Sequence, residues 1–501
     1  MQHADDVMMQ ARRLPSKLAA RDLASGREWR YAELDRAIGQ FVAALRARGI
    51  VPGDRVAALA KNRLELIMLH FACARLGTMY VPLNWRLAEA ELRALLRDAE
   101  PALLLGDGHL THAGLEGADI DAFATDAEML EPIELPVPDH NAPSLVLYTS
   151  GTSGPPKGVL LSEHNIRQSA LNFAQLGEVR SDSVVLCDAP MFHIIGLITN
   201  IRPGLMLGAT LMISDGFLPS RTLTRLSDPA LRVTHYFCVP QMAALLHSEP
   251  GFDPAPLRGL TAIFSGGAPH SAEAIRRWLD DGITMANGFG MSETGTVSCM
   301  PLDRDLIRAK AGACGLIPPG IEYRVVDAKG EDCGEGPGEL LLRGATVTSG
   351  YWHRPDQTAT AFTADGWFRT GDIARIDADR FLWLLDRKKD MFISGGENVY
   401  PTEIEAALSG HPSVIEAAVV GVPNARWGEV GHLFIVPRPG SEIDDTALLA
   451  FLSERLARYK LPKHITRLDV LPRSGAGKVL KPELRRATGP AAPHPPPDAT
   501  R

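Results

Sequence analysis

The sequence predicts an α/β protein. A large N-terminal domain of layered α/β subdomains carries a β-rich subdomain, and a small mobile α+β domain follows it. Three observations predict this. Short apolar strands alternate with helical patterns through the first half of the chain. Short strands divided by Gly, Pro and Asp turns crowd residues 320–386. A run of charges, Arg387-Lys388-Lys389-Asp390, then opens a compact mixed pattern of about a hundred residues, the usual size of a small domain.

In chain order, Leu34, Ile38, Phe41, Val42 and Leu45 recur at helical spacing before Gly49 stops the run. A turn at Pro52-Gly53-Asp54 leads into a strand from Val56 to Ala60, and a helix begins near Asn62. The most apolar stretch, Leu66 to Leu83, is interrupted by His70, Arg75 and Gly77. It reads as a buried helix running into a strand, too broken for a membrane span. Further strands are predicted at 102–105, 144–149, 183–187, 232–237 and 261–264, with helices between most of them. GELLLRG and FLWLLD typify the β-rich part. The expected boundaries are 1–386 for the N-terminal domain and 387–486 for the C-terminal one. Residues 487–501, ending in the Pro- and Ala-rich TGPAAPHPPPDATR, are expected to form a disordered tail.

The bulk properties set limits. With 501 residues, 45% apolar and 22% charged, the chain has material for a sizeable core without disulfides or metals. A net charge of −8 supplies no basic surplus to displace counterions from a nucleic acid. Cys73, Cys187, Cys238, Cys299, Cys314 and Cys333 are scattered without a CxxC pair, which reads as reduced, mostly buried thiols. The first residues, MQHADDVMMQARR, lack an apolar signal core, so a cytoplasmic location is expected.

The sharpest local signal is Tyr148 to Gly158, YTSGTSGPPKG, directly after a strand. Gly151 and Gly154 let backbone approach an oxyanion, Thr149, Ser150, Thr152 and Ser153 add hydroxyls, and Lys157 adds a point charge. Such a set suits a polyphosphate. The spacing is not that of a Walker A loop. By composition alone it reads equally well as a polar loop joining a strand to a helix.

Resemblance separates the two readings. The loop resembles the phosphate-binding signature of the adenylate-forming superfamily of acyl-CoA synthetases, peptide-synthetase adenylation domains and luciferases, with Ser153 where a second Thr is usual. Four further stations follow in the family's order. Ser265-Gly266-Gly267-Ala268-Pro269 and then Asn287-Gly288-Phe289-Gly290-Met291-Ser292-Glu293 resemble the segments that sandwich adenine. Phe289 replaces the usual Tyr, and Glu293, with Thr149, resembles the magnesium site. Trp367-Phe368-Arg369-Thr370-Gly371-Asp372 is similar to the element whose Asp holds the ribose hydroxyls. By resemblance Arg387 touches ribose or phosphate, and Lys389 is the hinge. Ser394, Gly395, Gly396 and Glu397 line the coenzyme A pantetheine channel. Finally, Lys478 behind Ser474-Gly475-Ala476-Gly477 matches the family's catalytic lysine, grouped here with Lys157 and His193.

The resemblance implies an ATP- and Mg²⁺-dependent ligase that makes an acyl-adenylate and passes the acyl group to coenzyme A. The small domain swings about Lys389 between the two steps. Pro190-Met191-Phe192-His193-Ile194-Ile195-Gly196 lacks a pocket Asp suited to an amino group, since Asp188 comes too early. The acyl pocket is expected from His193, Ile194, Phe237, Gly266, Gly288, Gly290 and Met291. A medium- or long-chain fatty acid is expected, as in bacterial fatty-acyl-CoA synthetases, and a cinnamate- or ferulate-type acid is the alternative. A stand-alone enzyme loading a carrier-protein pantetheine in trans, a luciferase-like oxygenase and a degenerate binding protein are the competing readings. A homodimer is left open.

Overall fold

Two large sheets, a small antiparallel sheet and a separate C-terminal sheet organise the chain in a computed structural model that describes residues 5–149, 156–394, 397–441, 443–473 and 478–488. One large sheet has eight strands, in the order Gly295–Cys299, Met285–Met291, Ala262–Ser265, His235–Cys238, Val184–Cys187, Thr210–Ile213, Leu18–Asp22, Glu28–Arg30. Its inner strands run parallel. The second has seven, in the order Gly350–Tyr351, Lys157–Ser162, Pro143–Thr149, Met79–Pro82, Arg55–Leu59, Leu103–Gly106, Ala118–Asp119.

The helices that join these sheets follow from the sequence pattern. Helix Tyr31–Ala47 buries Leu34, Ile38, Phe41, Val42 and Leu45, and the chain turns at Gly49 with φ +77°. Helix Leu64–Leu76 is buried along its whole length and ends at Gly77, in the left-handed region that glycine adopts without cost. It starts two residues later than the sequence suggested, and strand Met79–Pro82 follows it directly. Val56, Leu105 and Leu145 of one sheet share a core with Val185, Leu211 and Ile213 of the other. Strands of parallel sheets buried on both faces read as continuous apolar runs.

The Gly-rich segment corrects one expectation. It joins Pro143–Thr149 to the antiparallel strand Lys157–Ser162, so it is the loop of a hairpin and not a strand-to-helix connection. The helix begins afterwards, at Glu163, capped by Ser162.

Strands Ile321–Val326, Gly338–Gly344, Phe368–Ile376 and Leu382–Arg387 form the antiparallel β-rich sheet. After the turn at 388–391 the C-terminal sheet is built from Phe392–Ser394, Glu397–Val399, Val414–Asn424, Gly428–Pro437 and His464–Arg467. Helix Lys481–Ala487 reaches one residue into the segment read as a tail, and residues 489–501 lie outside the described residues. The six cysteines are free, with Cys333 alone not fully buried. Among the described residues no helix is long and apolar enough to cross a membrane.

Candidate active site

Strand Ala262–Ser265 lies parallel to Met285–Met291, with Ser265 opposite Asn287 at their carboxyl ends. Crevices beyond the carboxyl ends of parallel strands are where α/β proteins bind ligands. Ser265 Oγ and Asn287 Oδ1 are buried without a hydrogen-bond partner among the described residues. Asn287 Nδ2 donates to Ala313 O at 3.0 Å and approaches Cys314 Sγ at 3.8 Å. The charge of Asp372 reaches the same cysteine. Asp372 Oδ2 is also buried and unpartnered among the described residues, while Oδ1 lies 2.6 Å from Arg387 Nε. An unpaired buried polar atom costs about 1–3 kcal/mol. Three of them around one crevice indicate a place built for a polar ligand.

Asp372 is held by its strand. Its N–H donates to Thr370 Oγ1 at 3.0 Å, Gly371 supplies a φ of +69°, and residue 372 pairs with residue 387 across the sheet. Burial pushes its carboxyl up to about 6, with Arg387 and Lys478 opposing and Glu293 adding to the rise. Lys478 is lowered from the ordinary lysine range, first by desolvation and then by Arg387, while Asp372 and Glu293 oppose. Because Lys478 keeps solvent access, it sits at the mouth of a lined cleft and not in a core. The structure therefore brings Asp372, Arg387, Glu293 and Lys478 together from three distant parts of the sequence.

His193 faces this group. It follows strand Val184–Cys187 in a turn that leads into the π-helical segment Ile195–Thr199. Only glycine fits at 196, because a Cβ there would lie 2.1 Å from Pro190 O. His193 Nε2 is buried without a partner among the described residues, so this is no satisfied core histidine. Burial lowers its pKa to about 4, with Lys478 and then Arg86 adding to the effect. The imidazole is neutral in the physiological range. Arg86 had not been singled out in the sequence. Asp188 accepts from Thr222 Oγ1 at 2.6 Å and Tyr236 OH at 3.0 Å, which makes it a structural residue away from any substrate amine.

On the phosphate side, Thr149 ends one hairpin strand and Lys157 begins the other, with Thr149 Oγ1 3.4 Å from Lys157 O. Ser150, Gly151, Thr152, Ser153 and Gly154 lie outside the described residues. Lys157 Nζ stands 4.9 Å from the centroid of the Tyr351 ring, and Tyr351 OH donates to Glu293 Oε1 at 3.1 Å. Sequence reasoning missed Tyr351. The available signal was Gly350-Tyr351-Trp352, a glycine before two aromatics just ahead of a Pro-initiated helix.

The adenine segments need a structural addition. Gly288 and Gly290 face the antiparallel strand Gly295–Cys299, where a Cβ would lie 2.8 Å from Ser298 O and 2.3 Å from Gly295 O respectively. Hairpin packing by itself requires these glycines. Phe289 is 8% exposed and packs with Val297, Cys314 and Leu342, so only its rim faces outward. Met291 borders the same cluster, and Ser292 is half-buried. Gly267 and Ala268 are exposed beyond the strand end, and a Cβ at Gly267 would lie 3.1 Å from Ile195 Cδ1. A Cβ at buried Gly266 would meet Phe237 Cζ and Gly288 O, each at 3.2 Å. Phe237 in turn lies against Phe173 and Phe264, with ring centroids 5.8 Å and 6.4 Å apart.

Lys389 lies in the turn between the two domains' sheets, and Arg485 donates to neighbouring Asp390 at 2.9 Å. Ser394 is buried and pairs with Gly428, Glu397 is exposed, and Gly395 and Gly396 lie outside the described residues. Lys478, and not this hairpin, reaches the Asp372 group.

Among the described residues no three His, Cys, Asp or Glu side chains cluster to cage a metal. Glu293 offers a carboxylate whose second oxygen is not tied to Tyr351. That donor set fits Mg²⁺ arriving with a polyphosphate, since this ion keeps several waters and takes one or two carboxylates.

The AMP-binding enzyme model matches residues 7–352, and the model of the AMP-binding enzyme C-terminal domain matches residues 403–478. This chain belongs to the AMP-binding enzyme family. Feruloyl-CoA synthase of an Amycolatopsis species is 39% identical over 96% of this chain and 97% of its own length. The long-chain-fatty-acid–CoA ligase FadD13 of Mycobacterium tuberculosis is 33% identical over 91% and 92%. ATP-bound MatB from Rhodopseudomonas palustris superposes with a TM-score of 0.88 at 31% identity, covering 94% of this chain and 96% of that one. MenE from Bacillus subtilis in complex with ATP and magnesium gives 0.86 at 30%, covering 96% and 99%. The AMP-binding enzyme described here is thus an acid–CoA ligase by class, with ATP, Mg²⁺ and coenzyme A as the small molecules of that chemistry.

Proposed function

We propose that this AMP-binding enzyme joins an aromatic carboxylic acid to coenzyme A through an acyl-adenylate. One observation carries the choice of acid. The Phe237 ring, backed by Phe173 and Phe264, comes within 3.2 Å of the Cβ position of Gly266, where it would close the acid pocket with an aromatic face. A wall of stacked rings suits a flat ring and shortens the space for a flexible chain. The 39% identity to a feruloyl-CoA synthase supports the same reading.

A carboxylate is a poor acyl donor because its leaving group would be oxide. In the first step its oxygen attacks the α-phosphorus of ATP, the bond to the bridging oxygen breaks, and pyrophosphate departs. Lys478 bridges the substrate carboxylate and the α-phosphate, a role its nearness to Arg387, Asp372 and Glu293 supports, and neutral His193 lines the path of the acid. Asp372 and Arg387 hold the ribose, and Lys157 with the hairpin loop holds the leaving phosphates. Bound Mg²⁺ supplies charge neutralisation on those phosphates. Positioning and electrostatics account for the catalysis, as expected where phosphorus chemistry needs no covalent help.

In the second step the thiol of coenzyme A attacks the acyl carbon, the mixed anhydride opens, AMP leaves and the thiol proton goes to solvent. Lys478 would occupy the thiol's approach, so the C-terminal domain turns about Lys389 and presents the Ser394–Glu397 hairpin instead.

Pyrophosphate release with a panel of cinnamic, arylacetic and fatty acids tests the reading. We expect kcat/KM for a cinnamate-type acid to exceed that for dodecanoate by at least about tenfold, the scale of one poorly fitted group. Faster turnover of dodecanoate would replace it with the fatty-acid reading, which the apolar Ile194 and Met291 and the similarity to FadD13 favour. Comparing coenzyme A with a pantetheinylated carrier protein decides the acceptor.

A further inference from the structure

Between Glu293 and Lys157, the two opposite charges assigned above to metal and phosphate, stands a tyrosine. Lys157 Nζ lies 4.9 Å from the Tyr351 ring centroid, and Tyr351 OH donates to Glu293 Oε1 at 3.1 Å. No ion pair between Lys157 and Glu293 themselves is present among the described residues.

The tyrosine is not free to adapt. Gly350–Tyr351 is an edge strand paired with Leu160 and Val159, two residues from Lys157. Gly350 has a φ of +141°, and a Cβ there would lie 2.4 Å from Thr358 Cγ2. Tyr351 N–H donates to Thr358 Oγ1 at 3.0 Å. Just upstream, Thr348 N–H donates to Glu293 O at 2.7 Å, and just downstream Trp352 N–H donates to Gly158 O at 2.8 Å. Trp352 Nε1 donates to Asp98 O at 3.0 Å, and Arg354 pairs with the Asp98 carboxylate. That carboxylate also accepts from Tyr148 OH at 2.7 Å, one residue before the Gly-rich loop opens at Thr149. The strap 348–354 is therefore pinned to Glu293, to hairpin strand Lys157–Ser162 and to Asp98, which in turn binds Tyr148 of the other hairpin strand.

We infer that Tyr351 is a positioning residue that couples the phosphate lysine to the metal carboxylate: its ring seats the Lys157 ammonium, and its hydroxyl orients Glu293. Interposed between them, it keeps the two charges from neutralising each other before the nucleotide arrives. One Glu293 oxygen is occupied by the phenol, which leaves the other directed to a cation. An arrangement set in advance spares reorganisation when the triphosphate and its metal enter. The inference rests on the roles proposed above for Lys157 and Glu293.

Equilibrium binding of α,β-methylene-ATP to the full chain, by calorimetry with and without Mg²⁺, tests it without turnover. Tyr351→Phe keeps the ring and loses the hydroxyl. It should bind the metal-free analogue within about twofold of wild type and lose at least about fivefold of the Mg²⁺ enhancement, as expected for one charge-assisted hydrogen bond. Tyr351→Leu should lose that enhancement and also bind the metal-free analogue at least about threefold more weakly, because the cation–π seat is gone. Thermal melting confirms that both variants are folded. In turnover, the ATP KM and the half-saturating Mg²⁺ concentration should rise more than kcat falls. Glu293→Gln serves as the reference. If it keeps the full Mg²⁺ enhancement, the metal assignment of Glu293 is wrong and the inference falls with it. If Glu293→Gln loses the enhancement while Tyr351→Phe retains it, the Tyr351 inference alone is overturned. Equal metal-free affinities for the Phe and Leu variants overturn the role given to the ring.

Discussion

Arg387 Nε lies 2.6 Å from one oxygen of Asp372, while the other oxygen of that carboxylate is buried and unpartnered among the described residues. Half of the group is committed to the protein and half is reserved for a ligand. The Asp372 carboxyl is raised to about 6 by burial, so the empty protein takes up a proton as pH falls through that value. A ligand whose ribose donates to the carboxylate must displace this proton. Binding of a sulfamate-linked acyl-adenosine analogue, which has no phosphate of its own to titrate, should be flat above pH 7. It should weaken by about tenfold per unit once pH is well below 6. His193, near 4, titrates below most of this window. Asp372→Asn should remove the pH dependence. Calorimetry on wild type that shows constant affinity from pH 5 to about pH 7 would take Asp372 out of the ribose site.

Lys478 shares its surroundings with Asp372, Arg387 and Glu293. Removing its ammonium takes charge stabilisation from the first step alone. Lys478→Ala should raise the adenylation barrier by at least about 3 kcal/mol, measured by pyrophosphate release. Thioester formation from supplied acyl-adenylate should change little. Equal losses in both half-reactions would contradict the role.

The alternation of strands and helices was legible because parallel strands buried on both faces are written as apolar runs, as in Ala262–Ser265 and Val184–Cys187. Lys157, Glu293, Asp372 and Lys478 were legible because each sits in a short glycine-containing motif, and Arg387 because it opens a run of charges. The hairpin nature of the Gly-rich loop was not, since Lys157–Ser162 alternates too briefly to be separated from the start of the helix at Glu163. The dual duty of Gly288 and Gly290 was equally hidden. Their necessity comes from the Ser298 and Gly295 carbonyls on the returning strand, a contact between strands that spacing does not express. Tyr351 and Asp98 act through partners 58 and 50 residues away. No local pattern reports such pairs.

Beneath the cleft, Arg202 is 1% exposed and donates to Glu163 Oε2 at 2.8 Å and Asp6 Oδ2 at 3.2 Å, beside His70 Nε2 at 2.9 Å. Burial pushes Glu163 up, but Arg202 and His70 overcome it and hold the carboxyl down to about 2. Arg202→Met fills much of the same space and leaves buried Glu163 without its guanidinium and Asp6 with Arg167 alone, a loss of about 3–5 kcal/mol in urea unfolding. In wild type the Glu163 contribution is present above its ordinary range near 4.5 and is lost as pH falls toward 2. In the variant Glu163 loses the cation that holds it down, so acidification below neutrality should narrow the gap between the two proteins. A variant as stable as wild type at pH 7 would show that the buried pairs cost as much as they return.

Phe237 decides how deep an acid can reach if the aromatic wall is the end of the pocket. Its ring fills the space beside Gly266, and Phe173 and Phe264 prevent it from turning away. Phe237→Leu keeps the site apolar and limits the cavity penalty, whereas Phe237→Ala would cost about 3–5 kcal/mol of stability. The space gained should admit further methylenes. Each one buried is worth about 0.8 kcal/mol, or roughly fourfold in kcat/KM. The ratio of kcat/KM for octanoate over cinnamate should therefore rise by about fourfold to fifteenfold in the Leu variant, for one or two methylenes accommodated. The change should appear in KM for the acid and leave KM for ATP unaltered, since Phe237 stands apart from the Asp372 and Glu293 contacts. An unchanged ratio in a folded variant would mean that the acid does not reach the wall, and that its length is limited nearer His193.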